Sequence, residues 1–145
     1  MTAYADTGFL CSLYAPDAHT SRAIARMKRQ VLPLPFTWLH QLEFRNALRL
    51  RVFRGDITVT QRDASLNTML ADLAAGVLLV ASSPLAEVMT EAERLSALHS
   101  QMLGTRTLDI LHVAATLVLG LAELLTFDTR QAALAKAAGL KTPRL

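Results

Sequence analysis

The pattern of this chain predicts an α/β domain: a mostly parallel sheet covered on both faces by helices. Three observations carry that expectation. Short apolar runs alternate with longer segments of helical periodicity along all 145 residues. The long segments are bracketed by capping residues and glycines, as in Thr37 before Trp38 and Gly55 after Phe53. Val77-Leu78-Leu79-Val80 is an unbroken apolar run, the kind of strand buried on both faces of a parallel sheet. Repeats, low-complexity tracts and linkers are absent, so residues 1–145 are expected to form a single domain.

Taken in order, Ala3 to Asp6 reads as a short buried strand followed by a short apolar helix. Asp17 is a candidate N-cap for a helix to about Gln30. Val31 to Phe36 reads as a strand that Pro33 and Pro35 push toward an edge. Trp38 to Phe53 is a strong helix, and Thr60 opens another to about Ala75. After the strand Val77 to Val80, Ser83-Pro84 starts a helix to roughly Leu103, with proline at its first position. Thr107 caps the very apolar helix Leu108 to Leu119. Glu123 to Thr126 is a fourth strand, Thr129 to Ala138 a last helix, and Lys141 to Arg144 a final short strand.

Composition narrows the class. A hydrophobic fraction of 52% excludes a disordered chain. The longest apolar stretch, Ile110 to Ala122, is interrupted by His112 and Thr116 and has the length of a buried helix, so no membrane span is expected. The N-terminus lacks the basic and apolar regions of a secretion signal, and a lone cysteine, Cys11, fits a reducing cytoplasm. Net charge is +3, with twelve arginines against three lysines. Arginine suits bidentate phosphate contacts, and Arg22, Arg26, Arg45 and Arg49 lie in two basic segments that are candidates for gripping a nucleic-acid backbone. A solvated helix face explains the same residues equally well.

Four of the twelve acids stand in segments where a lone charge costs several kcal/mol. Asp6 ends the first strand, in Tyr4-Ala5-Asp6-Thr7-Gly8. Glu43 interrupts the apolar stripe formed by Leu39, Ala47 and Leu50. Asp109 lies in the first turn of a helix otherwise made of Leu, Ile, Val and Ala, where the helix dipole also favours an acid. Asp128 has the capping-box spacing to Gln131, so capping alone accounts for it, although one carboxylate oxygen can cap while the other faces a ligand. Strand carboxyl ends are where sites form in such sheets, and Asp6 and Asp128 both lie at one. Carboxylates placed at such cost and far apart in sequence point to a cluster held by a divalent metal. Other chemistries lack their residues: there is no phosphate-binding loop, no dinucleotide fingerprint and no zinc spacing. Asp6-Thr7-Gly8 also occurs in aspartic proteases, but those are built from strands, and this chain is rich in helices.

Together these segments resemble the PIN-domain ribonucleases, and within them the VapC-like toxins of bacterial toxin–antitoxin pairs. The likeness rests on Tyr4 to Gly8, on Leu42-Glu43-Phe44-Arg45-Asn46-Ala47, on Arg106-Thr107-Leu108-Asp109-Ile110-Leu111-His112-Val113-Ala114-Ala115, and on Leu125-Thr126-Phe127-Asp128. It implies a three-layer α/β/α fold and an acidic quartet of Asp6, Glu43, Asp109 and Asp128. It further implies Mg²⁺ or Mn²⁺, an RNA substrate, a homodimer, and an antitoxin whose tail inhibits the site. Some relatives carry a further acid after the last aspartate, whereas Thr129-Arg130-Gln131 follows it here.

On this reading Asp6 and Asp109 hold the principal ion, Asp128 completes its site directly or through a water, and Glu43 holds a second ion or positions the attacking water. Two carboxylates about 4 Å apart repel by roughly 4 kcal/mol at an effective dielectric of 20, so four in one pocket need a cation. The expected reaction is endonucleolytic hydrolysis of an RNA phosphodiester, with the resemblance implying 3′-hydroxyl and 5′-phosphate ends. The competing expectation is a catalytically degenerate PIN-like module for RNA binding or assembly.

Overall fold

A computed structural model describes residues 1–145. Four short strands and seven helices follow one another as β1 (Ala3–Ala5), α1 (Thr7–Tyr14), α2 (Thr20–Met27), β2 (Leu34–Phe36), α3 (Trp38–Phe53), α4 (Val59–Ala74), β3 (Leu78–Val80), α5 (Leu85–Leu103), α6 (Thr107–Val118), β4 (Glu123–Leu125) and α7 (Thr129–Ala137). All strand pairing is parallel, β1 with β4 and β2 with β3.

Side-chain alternation along β1 generates the layers. Ala3 and Ala5 point into one core with Phe9 and Leu10 of α1, Phe44 and Leu48 of α3, and Met69 of α4. Tyr4 points the other way, into a core with Val88 and Leu95 of α5, Val113 and Ala114 of α6, and Leu134 of α7. Leu125 and Leu124 divide between the same two cores. The three-layer α/β/α arrangement expected from the pattern is therefore present.

Several local expectations need correction. β1 lies beside β2, yet the two do not form one ladder, and the sheet divides into the pairs β1-β4 and β2-β3. The reason is chemical: Pro35 has no N–H to donate, and the outward carbonyl of Ala5 is taken by the His40 ring instead. The run at β3 is not buried on both faces, because Leu79 and Val80 are 47% and 64% exposed. β3 is the outer strand of its pair, and its Leu79 and Val80 side chains, on opposite faces of the strand, are both left open. The last expected strand is a single bridge between Glu123 and Lys141. The helix expected from Asp17 starts later, at Thr20 with His19 at its cap, since Asp17 accepts the His19 N–H and opens a turn ahead of the helix. α4 starts earlier than expected, from a cap at Thr58, and Arg106 takes the position before α6 expected of Thr107.

His40 locks β1, β2 and α3 together. At the third position of α3 its Nδ1 accepts the Thr37 N–H at 3.0 Å, the role a Glu or Gln plays in a capping box. Its Nε2–H donates to Ala5 O at 2.8 Å. Only the neutral ring, protonated on Nε2, makes both bonds. Complete burial, then the nearby His112, push its pKa down to about 3, against the opposing pull of the Ala5 carbonyl. The folded state thus keeps His40 neutral where the unfolded chain, with a pKa near 6.5, takes up a proton. The stability this site confers is complete above that value and is lost as pH falls from about 6.5 toward 3, by up to ~1.4 kcal/mol per unit. Ring-nitrogen NMR of the folded protein should find His40 neutral at pH 5; a midpoint near 6.5 would contradict the arrangement.

Candidate functional site

The carboxyl ends of β1 and β4 bring Asp6 and Asp128 to one edge, as the strand pattern requires. Asp6 caps α1, its Oδ1 accepting Phe9 N–H at 2.6 Å; this cap forms despite the missing Glu or Gln three positions on. Its Oδ2 accepts from Thr126 Oγ1, and Thr126 Oγ1 in turn accepts the Asp128 N–H at 3.0 Å. Asp128 Oδ1 caps α7 through the N–H groups of Arg130 and Gln131, both at 2.8 Å. Thr126 is therefore the tie between the two aspartates across the strand pair. Gly8 keeps the near side open, since a Cβ there would sit 3.4 Å from Asp6 Oδ1 and screen it from the adjacent cavity.

Glu43 enters from α3. Its Oε2 accepts from Thr7 Oγ1 at 2.8 Å and from His112 Nε2. Behind it, the Tyr4 hydroxyl meets His112 Nδ1 at 2.9 Å. Burial raises the Tyr4 pKa well above the usual phenol range, so the hydroxyl keeps its proton beside Nδ1, while His112 Nε2 donates to Glu43. His112 lies one turn from Asp109 on α6, yet its ring bonds to Glu43.

Asp109, in the first turn of α6, pairs with Arg106 Nε at 2.9 Å, and the same guanidinium reaches Asp128 Oδ2 at 3.3 Å. Arg106 is thus a cation standing between two of the four acids. Asp6, Glu43 and Asp128 line a cavity of about 620 Å³ together with Ser12, Asp17, Asn46, Arg51, His19 and Phe127. Asp109 lines an adjoining cavity of about 310 Å³ that shares Glu43 and Leu108 with the first.

The acids differ in electrostatic setting. Burial pushes the Asp6 carboxyl up, against the lowering effects of His112, Thr126 and the Phe9 N–H, and Asp109 raises it further. Burial also pushes Glu43 up, but the His112 and Thr7 hydrogen bonds outweigh it and hold that carboxyl below the usual range. Glu43 stays ionised at neutral pH, and its Oε1 makes no hydrogen bond within the protein.

Does the donor set fit a divalent cation? Three features say yes. The donors are carboxylate oxygens, the ligands Mg²⁺ and Mn²⁺ take. Their scaffold hydrogen bonds leave Glu43 Oε1 and Asp109 Oδ1 free and lone pairs on Asp6 and Asp128. A guanidinium already occupies the gap between Asp109 and Asp128, which shows that the gap favours positive charge. No three of the His, Cys, Asp and Glu side chains close on a single point: Asp6, Glu43 and Asp128 line one cavity, and Asp109 lines the next with Glu43.

The arginines are scattered. Arg22 lies over the Phe127 ring at 5.0 Å, beside the acid cavity. Arg26 pairs with Glu123 at 3.0 Å, at the amino end of β4 and so away from the acids. Arg45 and Arg49 line a separate small cavity with Arg62 and Asp63. The arginine that lines the acid cavity is Arg51, which pairs there with Asp17 at 3.4 Å. Arg51 belongs to a basic segment evident in the sequence, but its pairing with a residue 34 positions away left no local signal.

Two solved structures share this architecture. VapC20 of Mycobacterium tuberculosis, a sarcin-ricin loop cleaving toxin, matches with a TM-score of 0.73 at 17% identity, over 99% of this chain and all of its own. The fold is shared with that toxin. FitAcB from Neisseria gonorrhoeae matches with a TM-score of 0.61, also at 17% identity, over 93% of this chain and 94% of its own. No protein-family model matches the chain, and no curated protein sequence matches it.

Asp6 carries the heaviest electrostatic burden, and removing its charge should relieve it. Asp6→Asn keeps a competent N-cap, so in EDTA its melting temperature should exceed that of the wild type. A lower melting temperature would show that the charge at position 6 is not a liability.

Proposed function

We propose that the chain is a metal-dependent endoribonuclease that hydrolyses RNA phosphodiester bonds, acting as the toxin of a toxin–antitoxin pair. The observation that carries this reading is the convergence of Asp6, Glu43, Asp109 and Asp128, from four separated segments, around adjoining cavities at one sheet edge. The shared fold with a sarcin-ricin loop cleaving toxin supports it. The degenerate-module reading is not favoured, since all four acids are present and line adjoining cavities.

Asp6, Asp109 and Asp128 are the proposed holders of Mg²⁺ or Mn²⁺, with Glu43 beside them. When bound, such an ion polarises a phosphate and lowers the pKa of a coordinated water. The residues of the chain do the rest. Glu43, kept ionised and aimed by the Tyr4-to-His112 relay, presents Oε1 as acceptor for the proton of the attacking water. Thr126 holds Asp6 and Asp128 in register with each other. Arg106, released from its carboxylates, would be free to contact substrate phosphate. Of the arginines proposed for RNA contact, Arg22 is the best placed; Arg45 and Arg49 serve an extended backbone path, and Arg26 is already paired.

Partners follow the same reading: an antitoxin protein and a second copy of the chain. Leu42 of α3 and Leu85 and Met89 of α5 are 67%, 55% and 52% exposed, and the Trp38 indole bonded to Ser83 O ties those two helix starts together. That apolar surface supports homodimerisation. No helix is long and apolar enough to cross a membrane, and a cytoplasmic site of action fits the RNA substrate.

Purified protein should cleave RNA with Mn²⁺ or Mg²⁺ and stop on addition of EDTA. Asp109→Asn should abolish cleavage, and His112→Asn should lower it by about 10- to 100-fold, as expected for a residue that orients a site carboxylate. Cleavage that persists in EDTA, or survives Asp109→Asn, would refute the assignment.

A further inference from the structure

One wall of the acid cavity is aromatic, and neither the carboxylates nor local folding explain it. His19 is the N-cap residue of α2 but makes no capping hydrogen bond, although that position favours Ser, Thr, Asp or Asn. Its ring lies flat on Phe127, with centroids 4.4 Å apart and planes 9° apart. Phe127 is in turn stacked with Phe9, at 5.6 Å and 14°. The ladder runs outward from the core: Phe9 is fully buried, while Phe127 and His19 are half-buried and line the cavity beside Asp128. Arg22 lies over Phe127 and donates to His19 Nδ1 at 2.8 Å, which leaves the His19 proton on Nε2 and most of the guanidinium donors free. The same cavity is lined by Asn46, Ser12, Asp17 and Arg51, groups that carry hydrogen-bond donors and acceptors.

We propose that the His19–Phe127 stack is a platform on which an unpaired nucleobase of the RNA lies, next to the phosphate that enters the carboxylate cluster. The inference rests on the ribonuclease reading and names a subsite within it. Stacked rings anchored to a buried phenylalanine lose little freedom on binding, so the platform is preorganised. Every base has a π-face, so stacking here tolerates sequence, while Asn46 and Arg51 can sort bases by their edges. The Arg22 guanidinium at the platform's rim is placed for the flanking phosphate. A purely structural stack, fastening α2 to the segment before α7, accounts for the ring contacts but leaves no role for a polar, half-buried imidazole on a cavity wall.

The test uses the full chain in EDTA, so that RNA binds without being cut. Short single-stranded RNAs carrying 2-aminopurine at successive positions report stacking by quenching. For the wild type, one position should quench on binding. His19→Leu, which keeps an apolar cover on Phe127, should bind about tenfold more weakly and lose the quenching. His19→Tyr, which restores a ring, should recover both, with all three melting temperatures alike. Equal affinity and quenching in His19→Leu, or no quenched position in the wild type, would overturn the platform. Wild-type cleavage with Mn²⁺, measured in parallel, separates the two claims: loss of the platform alongside intact cleavage leaves the ribonuclease reading standing, whereas absent cleavage removes that reading itself.

Discussion

A carboxylate almost without access to water, that of Asp6, is the constraint around which this molecule is arranged. It is 5% exposed, yet it follows directly from the first strand and cannot move without disturbing β1, β4 and α1 together. The Phe9 N–H and the Thr126 hydroxyl compensate part of its desolvation. Burial still prevails and raises its pKa. A carboxylate held this way is under electrostatic tension, and the Arg106 guanidinium bridges Asp109 and Asp128 without reaching it.

The neighbouring acid has the opposite character. Glu43 receives two hydrogen bonds on one oxygen, and its charge is held in place at neutral pH. Burial and hydrogen bonding thus push two carboxylates lining one cavity in opposite directions, the difference on which the proposed ligand and proton-accepting roles rest. The Tyr4 hydroxyl extends this control into the second core, so the packing of α6 against β1 sets the aim of a side chain on α3.

Much of this was legible in the sequence where the signal was local. Asp6 stood out because it ends an apolar run, Glu43 because it breaks an apolar stripe, and Asp128 because its spacing to Gln131 is that of a cap; all three signals describe what those residues do. Non-local features left no such trace. The His112 ring bonds to a hydroxyl 108 positions away, and Arg106 bridges to an acid 22 positions on. The exposure of Leu79 and Val80 is not legible in the run, because an apolar run reports a side chain's preference, whereas burial depends on whether another element lies outside the strand. The division of the sheet depended on a carbonyl of β1 preferring an imidazole to a neighbouring strand, a choice visible only once α3 is in place.

On the proposed reading the four acids seat a divalent ion, and Arg106 stands in for it between Asp109 and Asp128. Anomalous diffraction from crystals soaked in Mn²⁺ addresses it most directly. A peak ringed by Asp6, Asp109 and Asp128, with the Arg106 side chain displaced from the latter two, is the expected result. Crystals that diffract well but show no peak among those carboxylates at millimolar Mn²⁺, with Arg106 still bridging them, would contradict it.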